Sequence, residues 1–87
     1  MLSHTNRRFW KSYRALPNEI RLIAKKQYKI FRENPYHASL HFKRVHANQP
    51  IYSARITKDY RVLGVVKESV VIWFWIGSHS DYDKLLK

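Results

Sequence analysis

The sequence contains no cysteine, two glycines and six acidic residues among 87, and each scarcity removes a class of function. Without cysteine there is neither a disulfide framework nor a thiolate zinc site, which fits a reducing compartment. The chain offers no glycine-rich phosphate loop, no nucleophile elbow and no pair of buried-looking carboxylates, so hydrolases built on those parts are set aside. No apolar run approaches the roughly 18 residues of a membrane span. Arg7 and Arg8 are not followed by the apolar core of a signal peptide, and a soluble cytoplasmic protein is expected.

The six acidic residues stand against 17 Lys and Arg, a formal net charge of +11. Such an excess on a small domain implies a polyanion or an acidic protein as partner. Residues 1–50 hold 11 of the basic groups and two of the acidic ones, so the positive charge is concentrated in the N-terminal half. At this length one core is affordable and two are not, so residues 1–87 form a single domain. Apolar residues make up 45% and aromatics 15%, enough for a packed core carried largely by Trp, Tyr and Phe.

The segment Val70 to Ile76 is β-branched or aromatic throughout, as in a strand buried on both faces, and predicts the central strand. Gly77 ends the run, and His79, Asp81 and Tyr82 follow at once, so core and candidate site share one stretch. Upstream, Thr5 suits the N-cap of a first helix with Phe9, Tyr13 and Leu16 on one face. Pro17 opens a second helix whose apolar stripe runs Ile20, Ile23, Ala24, Gln27 with Tyr28, and Phe31, closed by Asn34-Pro35. Leu40, Phe42 and Val45 alternate as a first strand. Tyr52 to Thr57 alternates cleanly, with Ser53, Arg55 and Thr57 outward. Lys58-Asp59 turns the chain into Tyr60 to Val66, and Lys67 to Ser69 turns it again. Met1 to His4 is either a short edge strand or loose chain. The order predicts an α+β fold: an N-terminal helix pair on one face of an antiparallel sheet of three to four main strands.

Neither His79, Asp81 and Asp83 nor His37, His41 and His46 has the spacing of a known metal framework. Ser80 and Asp83 fit a capping box for a short terminal helix with Leu85 and Leu86 on its inner face. What remains is a cation and aromatic set, Arg55, Arg61, His79 and Tyr82, which suits a phosphodiester. Arginine grips phosphate oxygens in pairs, imidazole moves protons near neutrality, and tyrosine stacks on a base or shares a proton. Each residue also has a plainer reading: a solvated strand face for the arginines, a helix-start residue for His79 and a core or rim aromatic for Tyr82. If Lys58 and Asp59 were the whole loop of an unbulged hairpin, the two arginines would face opposite sides; a shared site demands a three-residue loop or a bulge.

Taken together, Arg8-Phe9-Trp10-Lys11, Leu16-Pro17 with Ile20, Asn34-Pro35, Ser39 to Lys43, Tyr52-Ser53-Ala54-Arg55-Ile56, Tyr60-Arg61-Val62 and Ile76 to Tyr82 resemble the RelE/ParE superfamily of toxins over nearly the whole chain. The resemblance implies a RelE-like α+β fold and a ribosome-dependent mRNA endonuclease acting without metal or small-molecule cofactor. It also implies a neighbouring antitoxin that neutralises it, expected to carry an acidic segment. Carried onto this sequence, the site is Arg55, Arg61, His79 and Tyr82; apart from the resemblance, Lys43, His41, His46 and Lys58 are second-rank candidates for holding RNA. Ser53 stands where several members have lysine, and His79 where some have arginine. The superfamily also includes poisons of DNA gyrase, and a non-catalytic basic RNA-binding domain is the third reading.

Overall fold

A computed structural model describes residues 1–85. Strand β1 (Leu2–Thr5) leads into helices α1 (Arg7–Arg14) and α2 (Asn18–Glu33). A 3-10 turn at Ala38–Leu40 precedes strands β2 (Lys43–Arg44), β3 (Ile51–Thr57), β4 (Tyr60–Lys67) and β5 (Val70–Ser78), and helix α3 (His79–Leu85) follows. The strands form one sheet in the order β1-β5-β4-β3-β2. β2 to β5 pair antiparallel in succession, whereas β1 joins β5 in parallel. The predicted α+β order is present: β2 to β5 are the antiparallel strands, the edge-strand alternative for the N-terminus is realised as β1, and its parallel pairing makes the sheet mixed and five-stranded.

The two helices cover one face. Phe9, Leu16, Ala24 and Phe31 bury against Ala54, Ile56, Val62, Val71, Trp73 and Ile76. Phe31 and Trp73 meet edge to face at 5.2 Å, and full burial of such a side chain contributes about 1.5–3 kcal/mol. The Trp73 indole N–H donates to Ser3 Oγ at 2.9 Å, fastening β1 to the core. Gly64 lies opposite Trp73, and a Cβ there would come within 2.7 Å of the indole, so the residue is bare because the ring fills its place.

Two bulges break the ladders. β5 carries Phe74 as an extra residue between the pairs Trp73↔Gly64 and Trp75↔Leu63, and β3 carries Ile56 between Arg55↔Arg61 and Thr57↔Tyr60. Each helix sends one polar side chain to the sheet nearby. Ser12 Oγ of α1 accepts from the Ile76 N–H at 3.1 Å, and Gln27 Nε2 of α2 donates to the Arg55 carbonyl at 3.0 Å.

Several local expectations are corrected. Thr5 is drawn into β1, so the cap of α1 is Asn6, whose side chain accepts from the Phe9 N–H. Leu40 closes the 3-10 turn and His41 takes a left-handed φ of 46°, which leaves only Lys43 and Arg44 to pair with β3. β4, not β5, lies in the middle of the sheet. β5 is buried toward the helices, but Ile72 on its other face is 43% exposed. The helix after β5 starts at His79, two residues too early for Ser80 to cap it, and Ser78 Oγ instead accepts from the Asp81 N–H. Leu85 is half exposed rather than inward, and Leu86 lies outside the described residues.

Candidate active site

Residues paired across a ladder share a face, and so do residues two apart along a regular strand. Ser53, Leu63 and Trp75 therefore form one row on the face away from the helices, and Arg55, Arg61 and Gly77 the next. The turn between β3 and β4 is Lys58-Asp59, and the extra Ile56 supplies the bulge that sets Arg55 opposite Arg61. The two arginines thus emerge side by side.

Between them and α3, Gly77 adds no side chain of its own. A Cβ at Gly77 would lie 2.5 Å from Cζ2 of Trp75, so the indole lies across this position, beside Arg61. Leu63, 1% exposed, and Ser53, 3% exposed, are buried in the row beneath it. The half-buried Trp75 offers a flat aromatic surface next to the arginine pair, suited to stacking on a base. It is absent from the sequence-based set. The signal was that Trp75 and Gly77 share a strand face, and the seven-residue apolar run concealed it.

The arginines differ in their engagement. Arg61 Nη1 donates to the carbonyls of Thr57 at 2.7 Å, Tyr60 at 3.0 Å and Lys58 at 3.2 Å, bracing the turn. Its Nε and Nη2 form no hydrogen bond among the described residues. The Arg55 guanidinium has neither a hydrogen bond nor an ion pair there.

α3 is tied to the same turn, because the His79 N–H donates to the Asp59 carbonyl at 2.6 Å. This places the start of the helix beside Arg61, whose partner in β5 is Gly77. His79 and Tyr82 lie within one turn of helix, their ring centroids 5.4 Å apart. His79 Nδ1 lies 3.2 Å from Asp83 Oδ2, four residues on. A carboxylate only accepts, so Nδ1 is the donor in that contact, and Nε2 forms no hydrogen bond among the described residues. Asp83 meets His79 at i, i+4 instead of completing a capping box, a spacing that the helix start at His79 makes possible.

Of the eight expected residues, Arg55, Arg61, His79, Tyr82 and Lys58 converge at the β3–β4 turn. Lys43, exposed on β2 opposite Ser53, shares the open face. His46 does not join them. It lies beside the start of β3, six residues and about 20 Å from the turn, and its Nδ1 accepts from the N–H groups of Asn48 and Gln49 to hold a loop. His41 is exposed in its left-handed turn, outside the sheet register. Most of the positive charge also lies elsewhere: Arg7, Arg8, Lys11, Arg14, Arg21, Lys25, Lys26, Lys29 and Arg32 are carried by α1 and α2. Among the described residues no three His, Cys, Asp or Glu side chains gather as a metal-binding group. No helix there is long and apolar enough to cross a membrane. A cleft of about 740 Å³ runs between the helices and the sheet and is lined by none of the four convergent catalytic candidates.

The sequence profile of the ParE-like toxin domain matches residues 18–84. No curated protein matches the chain. Among solved structures, the RelB-RelE antitoxin-toxin complex from Methanococcus jannaschii superposes with a TM-score of 0.77 at 15% identity, covering 97% of this chain and 99% of that one. YafQ from E. coli strain BL21(DE3) gives 0.74 at 10% identity, over 92% and 94%. The intact E. coli RelBE toxin-antitoxin complex gives 0.64 at 20% identity, over 87% and 93%. At these identities the likeness is one of fold.

Proposed function

The chain belongs to the ParE-like toxin domain family, and we propose that it is an endoribonuclease that cleaves mRNA in the ribosomal A site and so inhibits translation. The observation that supports this reading is the convergence of Arg55, Arg61, His79 and Tyr82 on one end of the open sheet face. In the proposed reaction the 2′-hydroxyl attacks the adjacent phosphorus and the bond to the 5′ oxygen breaks. One group takes the proton from the nucleophile and another returns one to the leaving oxygen. His79, through Nε2, and Tyr82, through its hydroxyl, are the proton-transfer pair. Arg55 and the unengaged edge of Arg61 neutralise the charge that builds on the phosphate, and Trp75 holds a neighbouring base. Lys58 and Lys43 extend the cationic path along the strand.

The site is open and its helix is short, so positioning of the message falls to the ribosome, and cleavage of free RNA is expected to be slow. A cationic open face is blocked most simply by an acidic segment that also buries apolar groups, and an antitoxin of that kind is the expected regulatory partner. Mapping mRNA 5′ ends after brief induction tests the reading. New ends within translated codons, lost in His79→Ala while folding and ribosome association persist, are expected. Chromosome breaks without new RNA ends would replace it with gyrase inhibition, and salt-sensitive RNA binding without either would leave a passive binding domain.

A further inference from the structure

Gln27 is out of pattern on the inner stripe of α2. Ala24, Gln27, Tyr28 and Phe31 recur at helical spacing, and all four line the cleft between the helices and the sheet. A half-buried carboxamide among such neighbours is costly unless bonded. Its Nε2 donates to the Arg55 carbonyl at 3.0 Å, across 28 residues of chain.

Arg55 sits between two interruptions of the sheet. β2 pairs with β3 only as far as Ser53, and the β3–β4 ladder carries the extra Ile56 directly after Arg55. A bulge re-aims the side chains around it, and its outcome depends on what holds the backbone. No hydrogen bond or ion pair among the described residues orients the far end of the Arg55 side chain. The helix layer therefore grips this residue by its main chain, from the side opposite the site.

We propose that Gln27 is a positioning residue for Arg55: its carboxamide fixes the bulge so that the guanidinium emerges opposite Arg61. The inference rests on the ribonuclease reading, and it links the helix layer to the site through one hydrogen bond. Gln27→Leu removes the donor while keeping the stripe filled, so the fold is retained, as circular dichroism and thermal melting will show. Misplacing a phosphate-binding group by about 1 Å slows a reaction on the order of 100-fold, and a loss of about 10- to 100-fold in cleavage of ribosome-bound mRNA is expected. The decisive comparison is a double-mutant cycle. If Gln27 acts through Arg55, Gln27→Leu costs nothing further in an Arg55→Ala background. An equal cost in both backgrounds, or a Gln27→Leu single variant that cleaves at the wild-type rate while the Arg55→Ala single variant is impaired, overturns the proposal. Should the wild type fail to cleave, or Arg55→Ala cleave normally, the site reading has failed instead. The positioning claim is then decided by NMR of Gln27→Leu: faster amide exchange at Ile56 and Thr57 with a shifted Arg55 Nε–H supports it, and unchanged signals overturn it.

Discussion

A single methyl group at Gly77 tests both the packing and the placement of the site. The Cβ of Gly77→Ala would lie 2.5 Å from Cζ2, 2.9 Å from Cη2 and 3.2 Å from Cε2 of Trp75. Carbon atoms rest at about 3.5–4.0 Å, so the rigid indole must move by about 1 Å or the strand must yield. Gly77 does not use a positive φ, and alanine gains about 0.4–1 kcal/mol by restricting the unfolded chain. Overpacking costs about 1–3 kcal/mol, and the half-buried ring has room to turn outward, so a net loss of about 1–2 kcal/mol is expected. In a domain of this size each kcal/mol lowers the melting temperature by about 4–8 °C, measurable by circular dichroism and tryptophan fluorescence. Gly77 faces Arg61 across the ladder, so the displaced indole crowds the guanidinium, and cleavage of ribosome-bound mRNA should fall even where the protein is fully folded. In a Trp75→Leu background the obstacle is gone and the cost of Gly77→Ala should vanish. Melting at the wild-type temperature, or an unchanged cost beside Leu at position 75, would refute the argument.

Other perturbations separate chemistry from packing. His79 and Asp83 have side chains 45% and 57% exposed, so Asp83→Asn should change stability by less than about 1 kcal/mol. It should nevertheless slow cleavage at least about tenfold, because the amide no longer fixes the tautomer; rates and melting curves on one preparation check both. Ser12→Ala leaves the N–H of Ile76, a residue 2% exposed, without its partner, and denaturant titration should show a loss of about 1–3 kcal/mol. Glu68 and Ser69 both have positive φ in the β4–β5 turn. Ser69→Gly should raise the denaturant midpoint, with a gain of about 1 kcal/mol.

The helices, the meander of β3 to β5 and the α+β order were legible because they rest on periodicity. The spacing of three and four along α2 buries Ala24 and Phe31 with Ile20 beside them, although Ile23 and Tyr28 of the expected stripe are exposed, and the spacing of two along β3 buries Ala54 and Ile56. Arg55, Arg61, His79 and Tyr82 were also within reach, since residue chemistry and the resemblance both drew attention to them. Sequence pattern is weakest where one residue is added to a ladder. The extra Ile56 leaves the alternation of β3 looking regular, yet it determines whether Arg55 meets Arg61 or faces away. The extra Phe74 likewise hides which members of the Val70–Ile76 run turn toward the open face.

Composition and local pattern settled the fold class, the positive charge and the kinds of side chain available, because these depend on residue identity and near neighbours. Distance along the chain carries no information about which carbonyl Gln27 meets 28 residues away. Nor does it show that Asp83 turns back to His79 once the helix begins at His79, or that an indole lies over Gly77. Those contacts come from register, bulges and helix start points, each of which shifts by a single residue at little local cost. Packing of the whole sheet against the helix layer selects among them.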